Sequence, residues 1–323
     1  MLAIQAARTG GPEVLEAVDL PVPAPGPGQI LIRHEAIGLN FIDTYFRSGL
    51  YPAKLPAVLG MEGAGIVEAV GEGVTRFQAG DRAAYGNGPM GAYAEFHVVS
   101  AERAVKLPDG IDSRTAAAAM LKGMTAEFLI RRCAPVRRGT TILVHAAAGG
   151  VGLILCQWAK ALGARVIGTV GSQDKADLAR ANGCDEIILY RDEDVAARVK
   201  DLTDGKGVNI VFDGVGKDTF EASLASLRRR GILVSYGNAS GSAPAVLPLR
   251  LQQGGSLFLT RPTLFDYITT VEELDDSATA LFRAIAAGQV KITIGQEFPL
   301  AEARAAHEAL EARTTTGATL LIP

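Results

Sequence analysis

The sequence predicts an α/β protein with two domains, a doubly wound parallel sheet and a mostly β domain. Three observations support this fold class. The 323 residues exceed the usual length of one domain. Roughly the first 120 residues contain short strand-like stretches, and strands that alternate with helices follow them. Hydrophobic residues make up 48% of the chain and charged residues 21%, which is typical of a globular protein with a large core.

The N-terminal part consists of short alternating stretches that are separated by Gly and Pro. Examples are GQILIRHEAIGLN, GAGIVEAVGEGV, GDRAAYGNG, GAYAEFHVVS and AVKLP. Short strands with turn residues between them indicate a small β-barrel or sandwich. The segment PVPAPGPGQ (21–29) is interpreted as a surface connection, because Pro and Gly interrupt regular structure.

From about residue 121, predicted strands alternate with predicted helices. The strands are TTILVHA, ARVIGTV, EIILY, VNIVFDGVG, ILVSYGN and SLFLT. The helices are VGLILCQWAKALG, QDKADLARANG, DEDVAARVKDLTDG and KDTFEASLASLRRRG. Continuous apolar strands predict a parallel sheet that helices cover on both faces. Two amphipathic helices and the strand-like ATLLIP follow, and we expect this tail to return to the first domain.

Charge and composition argue against several classes of protein. The net charge is −3, and we interpret Arg228–Arg230 as a solvated helix end, so nucleic acid is not an expected partner. We expect no signal peptide, and no apolar run approaches the ~20 residues of a membrane span. Three distant cysteines argue against a disulfide framework and favour a cytoplasmic protein.

The segment HAAAGGVG (145–152) joins a predicted strand to a predicted helix. Its spacing, Ala147-x-Gly149-x-x-Gly152, is the dinucleotide fingerprint with alanine at the first position. Gly149 lets the backbone approach a pyrophosphate, Gly152 allows close packing of helix on strand, and the helix N-terminus attracts the anion. We therefore expect a Rossmann domain that binds a dinucleotide; a merely tight strand-to-helix turn is the alternative.

The end of the second Rossmann strand indicates which dinucleotide binds. Proteins that select NAD usually place an acidic residue there, on the ribose 2′-hydroxyl. This chain has Gly171 and Ser172 instead, with Lys175 one helical turn further and Tyr190 after the third strand. Small residues beside a cation and hydroxyl donors suit a 2′-phosphate, which favours NADPH. Lys175 alone would be interpreted as an ordinary exposed lysine.

Several motifs span almost the whole chain. They are GGPEVLE (10–16), AIGLNFIDTYFRSGLYP (36–52), GMEGAGIVEAVGEGV (60–74), LKGMTA (121–126), HAAAGGVGLILCQWAKALGA (145–164) and RTTTGATLLIP (313–323). In these motifs the chain resembles the zinc-independent quinone oxidoreductases of the medium-chain dehydrogenase/reductase family, such as zeta-crystallin.

The resemblance implies an architecture and an assembly. Residues 1–122 and 262–323 would form a GroES-like catalytic domain, and residues 123–261 a Rossmann domain that binds NADPH. The nicotinamide would lie in the cleft between them. Members of the family are commonly homodimers, and SLFLT (Ser256 to Thr260) resembles the edge strand that joins the two copies.

A metal is not expected. Zinc-dependent relatives carry a cysteine at the position of Asn40 and a histidine at that of Met61, and neither Asn40 nor Met61 is a good zinc ligand. Glu62 is kept but has no metal to support, and His145 is interpreted as a packed, hydrogen-bonded residue. An electron-poor quinone needs no metal to accept a hydride, so the protein has mainly to align the reactants.

The resemblance also implies site residues. Asn40 would hold the cofactor or donate to the acceptor oxygen, Tyr45 would hydrogen-bond or protonate that oxygen, and Tyr51 would line the pocket. Water as the proton source, and a packing role for each tyrosine, are the alternatives. The predicted cofactor contacts are Asn40, Phe41, Ile42, Asp43, Tyr45, Thr125, Ala147, Gly149, Gly150, Val151, Gly152, Gly171, Ser172, Lys175, Tyr190, Tyr236, Gly237, Asn238, Ser240, Thr260, Arg261 and Arg313.

We therefore expect an NADPH-dependent reductase of small-molecule quinones. One alternative is a reductase of activated C=C bonds, such as enones or enoyl thioesters, because their electron demand is similar. The other alternative is a non-catalytic protein that binds NADPH.

Overall fold

The computed structural model describes residues 1–86 and 88–323. The strands are β1 (Leu2–Ala6), β2 (Leu15–Asp19), β3 (Gln29–Leu39), β4 (Ala57–Val58), β5 (Glu62–Val70), β6 (Arg82–Tyr85), β7 (Phe96–Ser100), β8 (Val105–Lys106), β9 (Thr141–Val144), β10 (Arg165–Val170), β11 (Glu186–Leu189), β12 (Val208–Asp213), β13 (Leu227–Ser235), β14 (Phe258–Thr260), β15 (Ile294–Pro299) and β16 (Ala318–Ile322). The helices are α1 (Phe41–Ser48), α2 (Ser113–Phe128), α3 (Gly150–Ala161), α4 (Gln173–Ala181), α5 (Val195–Leu202), α6 (Phe220–Ser226), α7 (Pro248–Gln253), α8 (Val271–Ala286) and α9 (Ala303–Glu311).

The chain forms two compact units. The first consists of Met1–Met124, Ile268–Ala286 and Ile292–Pro323, and the second of Thr125–Tyr267 and Ala287–Lys291. The domain boundaries predicted from the sequence, after residues 122 and 261, stay a prediction.

The first unit is mostly β, as predicted. One sheet has the order β2-β1-β4, and the other has the order β15-β16-β3-β5-β6-β8, with β7 also paired to β3. Strand β16 runs antiparallel to β3, with Thr319 opposite Leu39, so the C-terminal tail returns to the N-terminal strands. The core between these elements includes Ile30, Leu59 and Tyr85.

Helix α1 follows β3 directly, and both of its ends carry capping residues. Asn40 is the N-cap residue, and Asp43 in the first turn accepts a hydrogen bond from the Asn40 backbone N–H at 2.9 Å. Gly49 ends the helix in the left-handed conformation, with a φ of 83°. The motif that carries the resemblance therefore folds as a capped helix at the end of a central strand.

The second unit is a doubly wound sheet, which confirms the predicted fold class. Its strand order is β11-β10-β9-β12-β13-β14, and its neighbouring strands are parallel. Strands β9 to β11 extend the sheet in one direction and β12 to β14 in the other. The order therefore reverses between β9 and β12, which is where such sheets bind ligands at their carboxyl ends.

One predicted helix is wrong at its C-terminal half. The sequence predicts a helix over KDTFEASLASLRRRG, but α6 ends at Ser226 and β13 begins at Leu227. Arg228–Arg230 therefore lie in a strand and not at a helix end. Leu227 pairs with Val208 and Ile232 with Ile210, so the arginines occupy an irregular, exposed part of the β12–β13 pairing. Strand pairing overrides the local helix propensity here.

No helix in the described part of the chain combines the length and apolar character needed to span a membrane.

Candidate functional site

The glycine turn of the second unit has the geometry of a phosphate-binding turn. Strand β9 ends at Val144, Gly149 is the N-cap of α3, and no acidic residue lies in the first turn of the helix. A Cβ on Gly152 would lie 2.3 Å from the Ala146 carbonyl oxygen, so no side chain fits at this position. The backbone N–H groups at the start of α3, including Gly150 and Val151, are thus suited to an anion.

The residues predicted to bind the 2′-phosphate lie around the end of β10. Gly171 follows this strand, Ser172 is the N-cap of α4, and Lys175 lies in the first turn. A Cβ on Gly171 would lie 2.7 Å from the hydroxyl oxygen of Tyr190 and 3.3 Å from Nε of Arg191. The structure therefore brings Tyr190 against Gly171, and it adds Arg191, which the sequence pattern did not indicate.

A second group of predicted cofactor residues follows β13. A Cβ on Gly237 would lie 2.3 Å from the Gly214 carbonyl oxygen, so the loops after β12 and β13 pack closely. The hydrogen-bond network assigns the Asn238 amide so that its oxygen accepts from Arg261 at 3.3 Å. Tyr236 and Ser240 belong to the same loop, and Thr260 ends β14 beside Arg261.

Asp213, which was not predicted from the sequence, organises the loop after β12. Its carboxylate accepts from the backbone N–H groups of Val215 and Gly216 at 2.8 and 3.1 Å. It also accepts from the hydroxyls of Thr219 and Ser223, at 2.8 and 2.7 Å. The only signal in the sequence is a polar residue at the end of a predicted strand, and this signal does not reveal the hydrogen-bond partners of Asp213.

His145 is a packed residue, as predicted. Its Nε2 lies 3.0 Å from Ser223 Oγ and its Nδ1 lies 3.0 Å from Thr169 Oγ1. Burial lowers the pKa of His145, although the nearby Asp213 charge acts in the opposite direction. The imidazole is therefore neutral and links β9, β10 and α6.

In the first unit, Asn40 lies beside a buried ion pair. Its Nδ2 donates to Glu62 Oε2 at 2.8 Å and to the Gly38 carbonyl oxygen at 3.2 Å. Lys122 Nζ also lies 2.8 Å from Glu62 Oε2, and the Leu121 N–H donates to Glu62 Oε1 at 2.7 Å. Glu62, which is expected to have no metal to support, therefore binds both Asn40 and Lys122.

Asp43 is also buried within the first unit. Its Oδ2 accepts from the Asn40 N–H at 2.9 Å and from the Tyr93 hydroxyl at 2.9 Å. Burial raises the pKa of Asp43 to about 7, and these two hydrogen bonds oppose the shift. The carboxyl group therefore faces α1 and Tyr93, and it titrates close to neutral pH.

The two candidate tyrosines lie together. The rings of Tyr45 and Tyr51 meet edge to face with centroids 5.2 Å apart, and the Tyr51 N–H donates to the Tyr45 carbonyl oxygen at 3.0 Å. Phe41 and Ile42 are half-buried in the first turn of α1. Arg313 lies between α9 and β16 with a φ of 57°. Thr125 lies in α2, in the part assigned to the second unit.

Among residues 1–86 and 88–323, no group of three His, Cys, Asp or Glu side chains is arranged to hold a metal ion. At the position of the zinc ligand in metal-dependent relatives, Asn40 instead donates both amide hydrogens to oxygen atoms.

Comparison with known proteins gives consistent matches along the chain. The family model for the alcohol dehydrogenase GroES-like domain matches residues 26–109, and that for zinc-binding dehydrogenase matches residues 150–282. A quinone oxidoreductase from Pseudomonas aeruginosa is 58% identical over 321 residues, which is 99% of each chain. A 2-haloacrylate reductase from a Burkholderia species is 43% identical over 326 residues, covering 98% of this chain and 97% of the relative.

The fold is also similar to solved structures. The crystal structure of Escherichia coli quinone oxidoreductase complexed with NADPH superposes with a TM-score of 0.98 at 49% identity and covers 100% of both chains.

Proposed function

The chain belongs to the zinc-independent quinone oxidoreductase family of the medium-chain dehydrogenases/reductases, and on that premise we propose that it reduces small-molecule quinones with NADPH. The observation that carries the proposal is the end of β10. Gly171, which Tyr190 covers, and Ser172 stand there in place of the acidic residue that proteins selecting NAD usually have after this strand, and the first turn of α4 carries Lys175 next to Asp174. A hydroxyl and a cation at this strand end suit a phosphate.

We propose that the second unit holds the cofactor. The N–H groups at the start of α3 would bind the pyrophosphate, and Ser172, Lys175 and Tyr190 would bind the 2′-phosphate, with Arg191 as an additional cation. When bound, NADPH supplies the hydride. The cradle fits this group because a side chain at Gly152 would meet the backbone of Ala146, and one at Gly171 would meet the Tyr190 and Arg191 side chains that face the strand end.

For the first unit, we propose that Asn40 binds the cofactor as a hydrogen-bond acceptor. Both hydrogens of its amide are donated to Glu62 and Gly38, so a donor of the cofactor can be received only by the Oδ1 atom, which also faces the Asp43 N–H in the capping box and has a second lone pair. This geometry favours the first of the two roles expected for Asn40 and disfavours donation to the quinone oxygen. We propose that Tyr45 donates to that oxygen and that Tyr51 fixes the Tyr45 ring by its edge contact.

A panel of acceptors tests this function. Oxidation of NADPH and NADH is followed with quinones, enones, 2-chloroacrylate and aldehydes, with and without a chelator. We expect NADPH to be preferred over NADH, quinones over aldehydes, and no effect of the chelator. A strong preference for NADH would contradict the cofactor, and inhibition by the chelator would contradict a metal-free site.

The match to 2-haloacrylate reductase favours reduction of activated C=C bonds as a second candidate function. A kcat/KM for 2-chloroacrylate above that of every quinone would select this candidate. Binding of NADPH without oxidation in the whole panel would instead favour the non-catalytic alternative.

Lys175 provides a sharper test of the phosphate site. Lys175→Ala should raise the KM for NADPH roughly tenfold and leave that for NADH unchanged, because one charge-assisted contact to the phosphate is lost. Lys206→Ala is the matched control, since Lys206 is exposed and precedes β12 at the opposite, amino end of the strands. Equal effects of Lys175→Ala on the two cofactors would refute its phosphate role.

We also propose that two copies pair through β14 (within Ser256 to Thr260) to form a homodimer in the cytoplasm. The exposure of this edge strand supports the dimer: Phe258 is 60% exposed, and Leu247, next to α7, is 76% exposed. Sedimentation velocity should give a dimer that Phe258→Arg dissociates, while Val22→Arg in the first unit has no effect. A monomeric wild-type protein would refute the dimer. The three cysteines support the location, which cell fractionation tests.

A further inference from the structure

Glu62 and Lys122 form an ion pair that is almost entirely removed from water. Glu62 is 0% exposed and Lys122 is 5% exposed, and their charged atoms lie 2.8 Å apart. Burying two charges costs several kcal/mol of desolvation for each ion, and apolar residues of similar size are often as stable. Stability alone therefore gives no reason to find this pair beside a residue of the proposed cofactor site.

The pair determines how the Asn40 amide is oriented. The Glu62 carboxylate and the Gly38 carbonyl can only accept hydrogen bonds, so both must face the Asn40 NH₂ group. The amide oxygen then has to point away from Glu62. A flip of the amide would place its oxygen against the carboxylate oxygen, which is repulsive.

Lys122 holds the Glu62 carboxylate in the position that enforces this orientation. The charge of Glu62 also acts on Asp43, Tyr85 and Tyr93, none of which is a cation. The ammonium group and the Asn40 NH₂ group bind the same oxygen atom, Glu62 Oε2, whereas Oε1 accepts from the Leu121 N–H. Without the ammonium group, Oε2 loses the donor that holds it opposite the Asn40 NH₂ group.

We propose that Lys122 is a positioning residue that acts through Glu62 to hold the Asn40 oxygen ready for a donor group of the cofactor. The inference rests on the proposed role of Asn40 in binding NADPH. Lys122 need not touch the cofactor, because its effect passes along two hydrogen bonds. Glu62, one residue after the position of a zinc ligand in metal-dependent relatives, thus has a fixed ammonium group as its cation.

A double-mutant cycle tests the proposal by calorimetric titration of NADPH into the protein, a measurement that requires no turnover. Asn40→Ala and Lys122→Met should each raise the Kd about tenfold, the effect of losing one hydrogen bond to a bound group. The double variant Asn40→Ala/Lys122→Met should bind no more weakly than Asn40→Ala, because Lys122 acts only through Asn40. Lys106→Met is the matched control: its ion pair with Asp81 is in the same unit but half-exposed, and the Kd should stay unchanged.

Glu62→Gln/Lys122→Met removes both charges and covers the case in which Lys122→Met does not fold. The introduced glutamine keeps its oxygen on the Leu121 N–H and so presents an NH₂ group to the Asn40 NH₂ group. The two donors repel each other and displace the Asn40 amide, so the Kd should rise as in Asn40→Ala, with a melting temperature close to that of wild type. A wild-type Kd in this variant would overturn the proposal. So would losses that multiply in the cycle, a fall in melting temperature without a change in Kd, or a wild-type Kd for Asn40→Ala. Failure of the wild-type protein to oxidise NADPH would instead refute the proposed function.

Discussion

Glu62 in the first unit and Asp213 in the second are both carboxylates with 0% exposure, but their charges are compensated differently. Glu62 faces the ammonium group of Lys122, and the amide of Asn40 shares the same oxygen. Asp213 receives two backbone N–H groups and two hydroxyls from the loop and helix that follow it. One carboxylate is paired with a charge, and the other is surrounded by neutral donors.

The difference indicates what each carboxylate fixes. A carboxylate that accepts backbone N–H groups holds the path of the chain, so Asp213 determines the loop after β12. Glu62 accepts one backbone N–H, that of Leu121, but the two donors on its Oε2 are side chains, so its main effect is to orient those side chains. We infer that loss of Asp213 affects the fold most, whereas loss of the Lys122 charge affects the site.

The largest expected effect on stability is that of Asp213→Ala. The N–H groups of Val215 and Gly216 lose their acceptor inside the protein, at about 1–3 kcal/mol each, so the variant should be about 2–6 kcal/mol less stable. Thermal and urea unfolding followed by circular dichroism measure this change. Asp201→Ala, at an exposed position of α5, should change stability by less than about 0.5 kcal/mol. A similarly small effect of Asp213→Ala would show that Asp213 does not determine the loop after β12.

Asp43 is a third buried carboxyl group. Within the part of the chain that the structure describes, it is not paired with a cation as Glu62 is, and it is not surrounded by neutral donors as Asp213 is. Its Oδ1 has no hydrogen-bond partner among the described residues. Burial raises its pKa from 3.8 to about 7, so between these values the folded protein binds a proton that the unfolded chain releases. The stability that Asp43 contributes is therefore present below the lower pKa and is lost as the pH rises through the upper one.

Asp43→Asn should remove this pH dependence. The amide oxygen can still accept from Asn40 and Tyr93, and the NH₂ group takes the position of the unpartnered Oδ1. Between pH 5 and 8 the variant should gain about 2–3 kcal/mol relative to wild type, which follows from the shifted pKa. Melting curves of both proteins at several pH values measure the difference.

The informative quantity is the difference in melting temperature between Asp43→Asn and the wild-type protein at each pH. Burial lowers the pKa of His34 to about 4 and that of His307 to about 3, and these groups stabilise both proteins as the pH rises. Their contributions cancel to first order in the comparison. Asp109→Asn, at an exposed position, should give no pH-dependent difference. If the difference in stability between Asp43→Asn and wild type did not change with pH, the Asp43 carboxyl group would be compensated in a way that the geometry does not reveal.

Local signals allowed much of the second unit to be predicted. The apolar strands and the glycine fingerprint specify β9, α3 and β10 over short distances, and the structure has these elements. The helix predicted as far as Arg230 failed because β13 is fixed by parallel pairing with β12, which no local pattern encodes. Cys156 and Cys184 lie 28 positions apart, yet their sulfur atoms are 3.4 Å apart because the helix and the loop that carry them pack together.

In the candidate site, too, contacts between residues that are distant in the sequence could not be predicted. The positions around Gly171 could be predicted because the absent acidic residue lies at a known place after a strand. The partner of Glu62 could not, since Lys122 is 60 positions away and no spacing rule connects them. The roles of the predicted site residues stay predictions until the variants are measured.

The smallest expected effect comes from Ser223→Ala, which tests the edge of the Asp213 network. Ser223 donates its only hydrogen to the carboxylate, so Nε2 of His145 must carry a hydrogen and donate to Ser223 Oγ. The alanine leaves that buried N–H without its acceptor, at a cost of about 1–2 kcal/mol, while Asp213 keeps its other donors.

Ser226→Ala is the matched control, because Ser226 lies in the same helix and is equally buried. Its hydroxyl donates only to the Ala222 carbonyl of its own helix, so its loss leaves no buried N–H group unpaired and should cost a few tenths of a kcal/mol. The measurement is the melting temperature of both variants. If the two serines proved equivalent, the neutral-donor network would end at Asp213 and its loop, and His145 would be packed beside it without contributing to it.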